Sequence, residues 1–334
     1  MGKKILGVDF GTATVKIYKK GNGIVLKEKN VVAIASKKKV FAVGDGAYEM
    51  LGKSPINIQV MKPIKNGVIA DLGNMQLLLS HLLDKITGKG SLKKANYLVA
   101  VPTDITEVEK RAFYDLVARS AGNAKSVSVV EKPIATALGM DIDITKSQGV
   151  MTVDIGADTT EVAILSMGGI VASKMLSVGG RQLDVSIKNA IRKEYSLLIG
   201  DKTAEVVKIA LASATEPDDQ VLKVYGRDIV TGLPREVAVE SSLVYYAIKE
   251  HLYTIINGIK LILERTPPEI SSDIIDTGIY VTGGTAKIKN LADIISQDTG
   301  LHVNIAEQSE SSVVKGLGVM IENRKLMSLA AVAK

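Results

Sequence analysis

Cysteine and tryptophan are absent from this chain, and histidine is nearly so, with copies only at His81, His251 and His302. No cysteine means no disulfide, no thiol nucleophile and no thiolate metal site, and three histidines so far apart argue against a zinc centre. Any metal is expected on oxygen ligands. Long hydrophobic runs are missing as well: stretches such as 98–101 are far shorter than the roughly 20 residues of a bilayer span. Only the cations Lys3 and Lys4 precede the strand that begins at Ile5, with no apolar signal region, so a cytoplasmic location is expected. The chain also lacks G-x-x-x-x-G-K-[ST], and its G-x-G pairs at 21–23, 44–46, 88–90 and 316–318 lack the third glycine of the dinucleotide fingerprint. P-loop NTPases and Rossmann dehydrogenases are thereby disfavoured. The net charge of +6 rests on lysine, with 34 Lys against 8 Arg. Lysine without tryptophan, and with three phenylalanines, lacks the arginine and aromatic interleaving of groove reading and base stacking. No nucleic-acid partner is expected, whereas attraction to an anionic membrane surface is compatible with this charge.

Against these absences stands one duplicated signature, Asp9-Phe10-Gly11-Thr12-Ala13-Thr14 and Asp154-Ile155-Gly156-Ala157-Asp158-Thr159. Each copy follows an apolar strand, at 5–8 and 150–153, and precedes another, at 15–18 and 160–165, so each reads as a β-hairpin with a polar turn. Glycine lets backbone approach an anion, turn N–H groups and threonine hydroxyls donate to phosphate oxygens, and each aspartate offers a carboxylate to a hydrated divalent cation. Two equivalent hairpins imply two related half-molecules. A length of 334 residues, too much for one ordinary core, points the same way.

Short strands are expected at 24–26, 31–35 and 40–43, before a Gly/Pro-punctuated region at 52–67. Apolar residues at 75, 78, 79, 82, 83 and 86 predict a helix with one core-facing stripe over 74–86. A basic loop at 87–96 leads to a strand at 97–101, stopped by Pro102. Thr103 or Asp104 then caps a helix running to Ala121, and a strand at 126–130 completes a parallel crossover unit. The second half is expected to carry helices at 183–195, 203–212 and 241–265, a β segment at 221–230, and a strand at 278–282 that runs into Gly283-Gly284-Thr285. A glycine pair at the carboxyl end of a strand is a common ligand position in α/β proteins.

Two D-x-G-x-x-T hairpins, a helix opened by Glu131-Lys132-Pro133 and the T-G-G turn at 282–284 resemble the actin and sugar-kinase superfamily, and within it the MreB family of bacterial actins. The resemblance runs nearly the full length, through Val43-Gly44 with Leu51-Gly52, 65–71, Val101-Pro102, Gly179-Gly180, Pro267-Pro268-Glu269 and Lys315-Gly316. It implies an α/β, actin-like fold of two duplicated domains around a nucleotide cleft. Domain I would span 1–142, with a small subdomain inserted at about 28–71, and be rejoined by 317–334. Domain II would span 143–316, with an insertion at about 181–240. The implied ligand is ATP with Mg2+. The resemblance assigns Asp9, Gly11, Thr12, Ala13 and Thr14 to a first phosphate loop, and Asp154, Gly156, Ala157, Asp158, Thr159 and Thr160 to a second. Gly283, Gly284 and Thr285 would hold the adenosine side, Glu205 and Lys208 would lie near the ribose, and Asp9 and Asp154 would hold the cation through water. A surface i, i+3 ion pair is the other reading of Glu205 and Lys208.

Two departures from the pattern bear on activity. The residue before the proline ordinarily orients or deprotonates the attacking water, and here it is Lys132, an ammonium that accepts no proton. Thr159, the other water-positioning group, is kept. The second loop reads Gly-Ala-Asp-Thr-Thr where three glycines are usual, and Asp158 either binds the cation or disfavours the anion. The resemblance implies a filament protein for cell shape or scaffolding, self-associating head to tail, with MreB paralogues as further possible partners and weak or lost hydrolysis. An active ATPase or phosphotransferase of the same fold, in the sugar-kinase or chaperone class, is the alternative. MreB-like proteins carry a membrane-touching loop where this chain has Leu92, Lys93 and Lys94, which implies a place at the inner face of the membrane.

Overall fold

The computed structural model describes residues 4–35, 39–87, 95–121 and 124–332. It divides into two compact units, one comprising Met1–Thr152, Ala163–Met175 and Glu310–Lys334, the other Val153–Val162 and Leu176–Ser309. In the first, six strands lie in the order Ala331–Val332, Ser126–Glu131, Asn96–Val101, Ile5–Phe10, Thr14–Lys19, Gly23–Lys29. Asn96–Val101 pairs in parallel with both Ile5–Phe10 and Ser126–Glu131, while Thr14–Lys19 folds back antiparallel on Ile5–Phe10 as the predicted hairpin. After Asn96 the central strand is buried throughout, from Tyr97 to Val101, because both faces are covered. Tyr97, Val99 and Val101 join one core with Leu78, Leu82, Phe113 and Leu116, and Leu98 and Ala100 join another with Ile134, Leu317 and Met320. Alternation along one strand thus feeds two cores.

The helix predicted at 74–86 spans Leu72–Thr87. The one that follows the central strand starts later than expected, at Glu107–Ser120. Its cap is Thr106, not Thr103 or Asp104, because Thr106 and Glu109 form a reciprocal capping box that satisfies two free N–H groups together. Asp104 instead accepts from the Met175 amide. A three-stranded sheet of Val32–Ala35, Lys39–Val43 and Ile58–Met61 has its own small core of Val31, Ala33, Ala47 and Ile58.

A second main sheet runs in the order Gly169–Leu176, Thr160–Ser166, Val150–Ile155, Ile279–Thr282, Val303–Ile305, and so contains the other predicted hairpin. The second unit carries the helices Gly180–Tyr195, Asp201–Leu211 and Ser241–Glu264. Pro267-Pro268 does more than stop the last of these, since Pro268 also opens the helix Pro268–Thr277, where its missing N–H costs nothing. The predicted β segment at 221–230 is one arm of a hairpin, Val221–Asp228 paired with Pro234–Glu240. Among the described residues no helix is long and apolar enough to cross a membrane.

The tip of that hairpin is built on Asp228. Its carboxylate accepts from the Val230 and Thr231 amides, both at 2.9 Å, and from Arg235 Nη1 at 2.8 Å. The Thr231 amide above all, with Arg235, pulls its carboxyl down to about 2. A depressed carboxyl stabilises the fold fully above the unfolded value of about 4, and the contribution disappears as pH falls through the folded value. Protection of the Val230 and Thr231 amides against hydrogen exchange should therefore fall between about pH 4 and pH 2 in the wild type. In Asp228→Asn it should already be low at neutral pH; a variant with wild-type protection would contradict this account.

Candidate functional site

The first turn is shaped by residues on both sides of it. Asp9 and Lys16 face each other across the hairpin register, both buried, with Nζ 3.2 Å from Oδ2. A side chain at Gly11 would meet the Thr14 carbonyl oxygen at 2.7 Å, so the bend requires glycine. Asn30, fully buried, donates from its backbone N–H to the Ala13 carbonyl at 2.8 Å and from Nδ2 to the Gly11 carbonyl at 2.9 Å. Two carbonyls that would repel an anion are thereby turned inward. Thr12 is buried, and Ala13 and Thr14 are half-buried. In the strand register Ala100 lies beside both Asp9 and Val130, and Glu131 ends its strand beside Val101, so Lys132 leaves the sheet at the edge where the first turn sits. Lys132 is the first residue of the helix Lys132–Gly139 and is half-buried.

Three segments meet at the second turn. The Gly156 N–H donates to the Thr159 carbonyl at 2.8 Å and closes the bend. The Gly156 carbonyl accepts from the Gly180 amide at 3.0 Å and from Thr285 Oγ1 at 2.8 Å, and the Ala157 carbonyl accepts from the Arg181 amide at 2.7 Å. Here again the carbonyls are tied inward, this time by a helix N-terminus and by the T-G-G turn. Thr160 is buried and donates to the Val178 carbonyl at 2.8 Å. Gly283 has φ +91, and a methyl there would overlap the Ile155 carbonyl and the Asp154 carboxylate. Gly284, in contrast, borders open space, and Thr285 is buried.

Lys208 donates to the Gly180 carbonyl at 2.9 Å and pairs with Asp184 at 2.8 Å, which fixes the helix Asp201–Leu211 against the helix Gly180–Tyr195. Burial pushes the Asp184 carboxyl up, and Lys208 pulls against it. Glu205, half-buried, lies one turn before Lys208. Asp158 pairs with Arg181, whose Nη1 is 3.0 Å from Oδ1 and donates to Oδ2 at 3.1 Å.

Asp9, Gly11, Thr12, Ala13, Thr14 and Lys132 thus share one sheet edge of the first unit. Asp154, Gly156, Ala157, Asp158, Thr159, Thr160, Lys208, Gly283, Gly284 and Thr285 gather in the second. Leu92, Lys93 and Lys94 fall outside the described residues. Lys16, Asn30, Arg181 and Asp184 were not singled out from the sequence. A lysine set between Val15 and Ile17 in an apolar strand was the one available signal. Among the described residues no three acidic or histidine side chains gather as a metal site, and Asp9 already carries Lys16. This donor set suits a cation brought in by phosphates with its water shell, not a resident metal.

The family model for MreB/Mbl protein matches residues 3–329. The chain is 42% identical over 321 residues to the cell shape-determining protein Mbl of Bacillus subtilis (strain 168), covering 95% of this chain and 96% of that one. The crystal structure of MreB 5 of Spiroplasma citri bound to AMPPNP superposes with a TM-score of 0.92 at 34% identity, covering 97% of this chain and 98% of the other. The MamK double helical filament matches at a TM-score of 0.81 and 22% identity over 96% of this chain and 99% of its own, a likeness of fold. The fold is actin-like.

Proposed function

The chain belongs to the MreB/Mbl family of cell shape-determining, actin-like proteins, and from that premise we propose that it binds ATP and polymerises head to tail into filaments, with weak or lost hydrolysis. The observation that carries this reading is the shared construction of the two turns. Each has its carbonyls drawn inward, by Asn30 in one case and by Gly180, Arg181 and Thr285 in the other. A turn so held presents N–H groups and threonine hydroxyls to an anion without reorganisation. Nucleotide in the relative from Spiroplasma citri supports the same reading.

In this reading Thr12, Thr14 and Thr159 donate to phosphate oxygens, Asp9 and Asp154 accept from the water shell of the cation, and Gly283 to Thr285 border the adenosine, with Glu205 and Lys208 near the ribose. Mg2+ supplies charge neutralisation to the phosphates when bound. Lys132 offers no proton acceptor to a water, so the nucleotide persists as ATP. The domain division is 1–142 with 317–334 against 143–316. Heterologous contacts between copies propagate into open filaments, and a filament multiplies the weak attraction of Leu92, Lys93 and Lys94 for anionic lipid at the inner face of the membrane. Other MreB paralogues are candidate partners.

Sedimentation of the full chain tests the proposal. Polymer should pellet with ATP and equally with AMPPNP, since assembly needs binding and not cleavage, and should not pellet without nucleotide. Polymer indifferent to nucleotide, or transfer of phosphate to glucose, would overturn it.

A further inference from the structure

The second turn contains a charge of the same sign as the ligand proposed for it. Asp158 lies between Ala157 and Thr159, and it is 5% exposed. A buried carboxylate in a phosphate turn opposes an incoming polyphosphate unless another group neutralises it. That group is Arg181, with Nη1 within 3.1 Å of both carboxylate oxygens.

Arg181 also reaches the turn by its main chain. It is the second residue of the helix Gly180–Tyr195, and its amide donates to the Ala157 carbonyl at 2.7 Å beside the 3.0 Å bond from Gly180 to Gly156. Gly179 makes this approach possible, because a side chain there would sit 2.8 Å from the Ala157 carbonyl. One residue therefore ties the turn's backbone inward and pairs with the carboxylate at the turn's centre.

We infer that Arg181 is a positioning residue for the nucleotide, acting through Asp158: it turns an acidic loop into one that accepts phosphate, and the two side chains are functional only as a pair. The inference rests on the nucleotide reading of the second turn. It also decides between the two roles open to Asp158 from the sequence, since a carboxylate engaged by a guanidinium is neither a metal ligand nor a free repelling charge.

The pairing predicts effects of opposite sign in a double-mutant cycle. Arg181→Gln takes the paired guanidinium away from the buried carboxylate, and ATP affinity should fall at least about tenfold. Asp158→Asn alone should bind ATP at least as tightly as the wild type. The double variant should return to within about threefold of the wild type, because neither charge is then left alone. Adenosine, which brings no phosphate, should bind all four proteins alike. Titration of the folded full-length proteins with ATP and with adenosine reads all of this. Equal loss of adenosine and ATP in Arg181→Gln, or no recovery in the double variant, would reduce Arg181 to a structural role and overturn the inference. Should Arg181→Gln not fold, Asp158→Asn decides alone, and weaker ATP binding by it is the contrary result. A wild-type protein that binds no ATP would instead overturn the nucleotide reading.

Discussion

Gly316→Ala should be among the most destabilising single changes in this protein. The helices Lys132–Gly139 and Ser312–Glu322 cross with their backbones in contact, so that a methyl on Gly316 would overlap the Ala135 carbonyl and one on Gly139 the Ser312 carbonyl. Neither obstacle is a flexible side chain. The helices must separate, and separation opens the core formed by Ile134, Leu138, Leu317 and Met320. Overpacking usually costs about 1–3 kcal/mol, but a clash with backbone lies at the upper end and the opened core adds to it, so a loss of about 4 kcal/mol or more is expected. The thermal midpoint should fall by roughly 6 °C or more. Gly46→Ala is the matched control: Gly46 lies in the short helix Asp45–Glu49 with open space around it, and the change should be neutral or stabilising by up to about 1 kcal/mol. Equal midpoints for Gly316→Ala and the wild type would show that the crossing yields. The crossing also matters for the first turn, because the helix that it holds begins at Lys132.

What the sequence made legible follows from how local each signal is. Both hairpins were readable because apolar strand, polar turn and apolar strand lie within about a dozen residues and repeat at one spacing. The helix Leu72–Thr87 was readable because only one face of it is buried. The helix Ser312–Glu322 was harder to read, since eight of its residues, including Gly316 and Gly318, are buried, and only the narrow face of Lys315, Val319 and Glu322 is left to mark its period. The cap at Thr106 was missed in favour of Thr103 or Asp104, all three being acceptable cap residues, and only the reciprocal bond with Glu109 selects among them. The supports of the site were hidden for a different reason. Asn30 acts on Gly11 and Ala13, and Arg181 on Ala157 and Asp158, from other segments of the chain. Such pairings become visible only once the strands have been brought together.

Lys132→Glu should raise ATP hydrolysis more than any other single substitution. Lys132 is the first residue of its helix, next to Pro133, at the sheet edge that carries the first turn. A carboxylate there supplies the proton acceptor that an ammonium lacks, and general-base assistance is worth about 10²–10⁴ in rate. The gain belongs in the cleavage step, so ATP affinity should change little. Stability should not suffer either. The positive end of a helix favours an acidic residue over a basic one by about 0.3–1 kcal/mol, so the variant should melt at or slightly above the wild-type temperature. Lys132→Gln separates the two effects, removing the positive charge without providing a strong base, and its rate should stay near that of the wild type. Phosphate release measured on the three proteins at saturating ATP decides the matter. A wild-type rate already typical of the family and unmoved by Lys132→Glu would refute the assignment. A large gain in Lys132→Glu but not in Lys132→Gln would identify the missing carboxylate as what holds the filament in its ATP state, and sedimented polymer of the Lys132→Glu protein should then disassemble as its ATP is consumed.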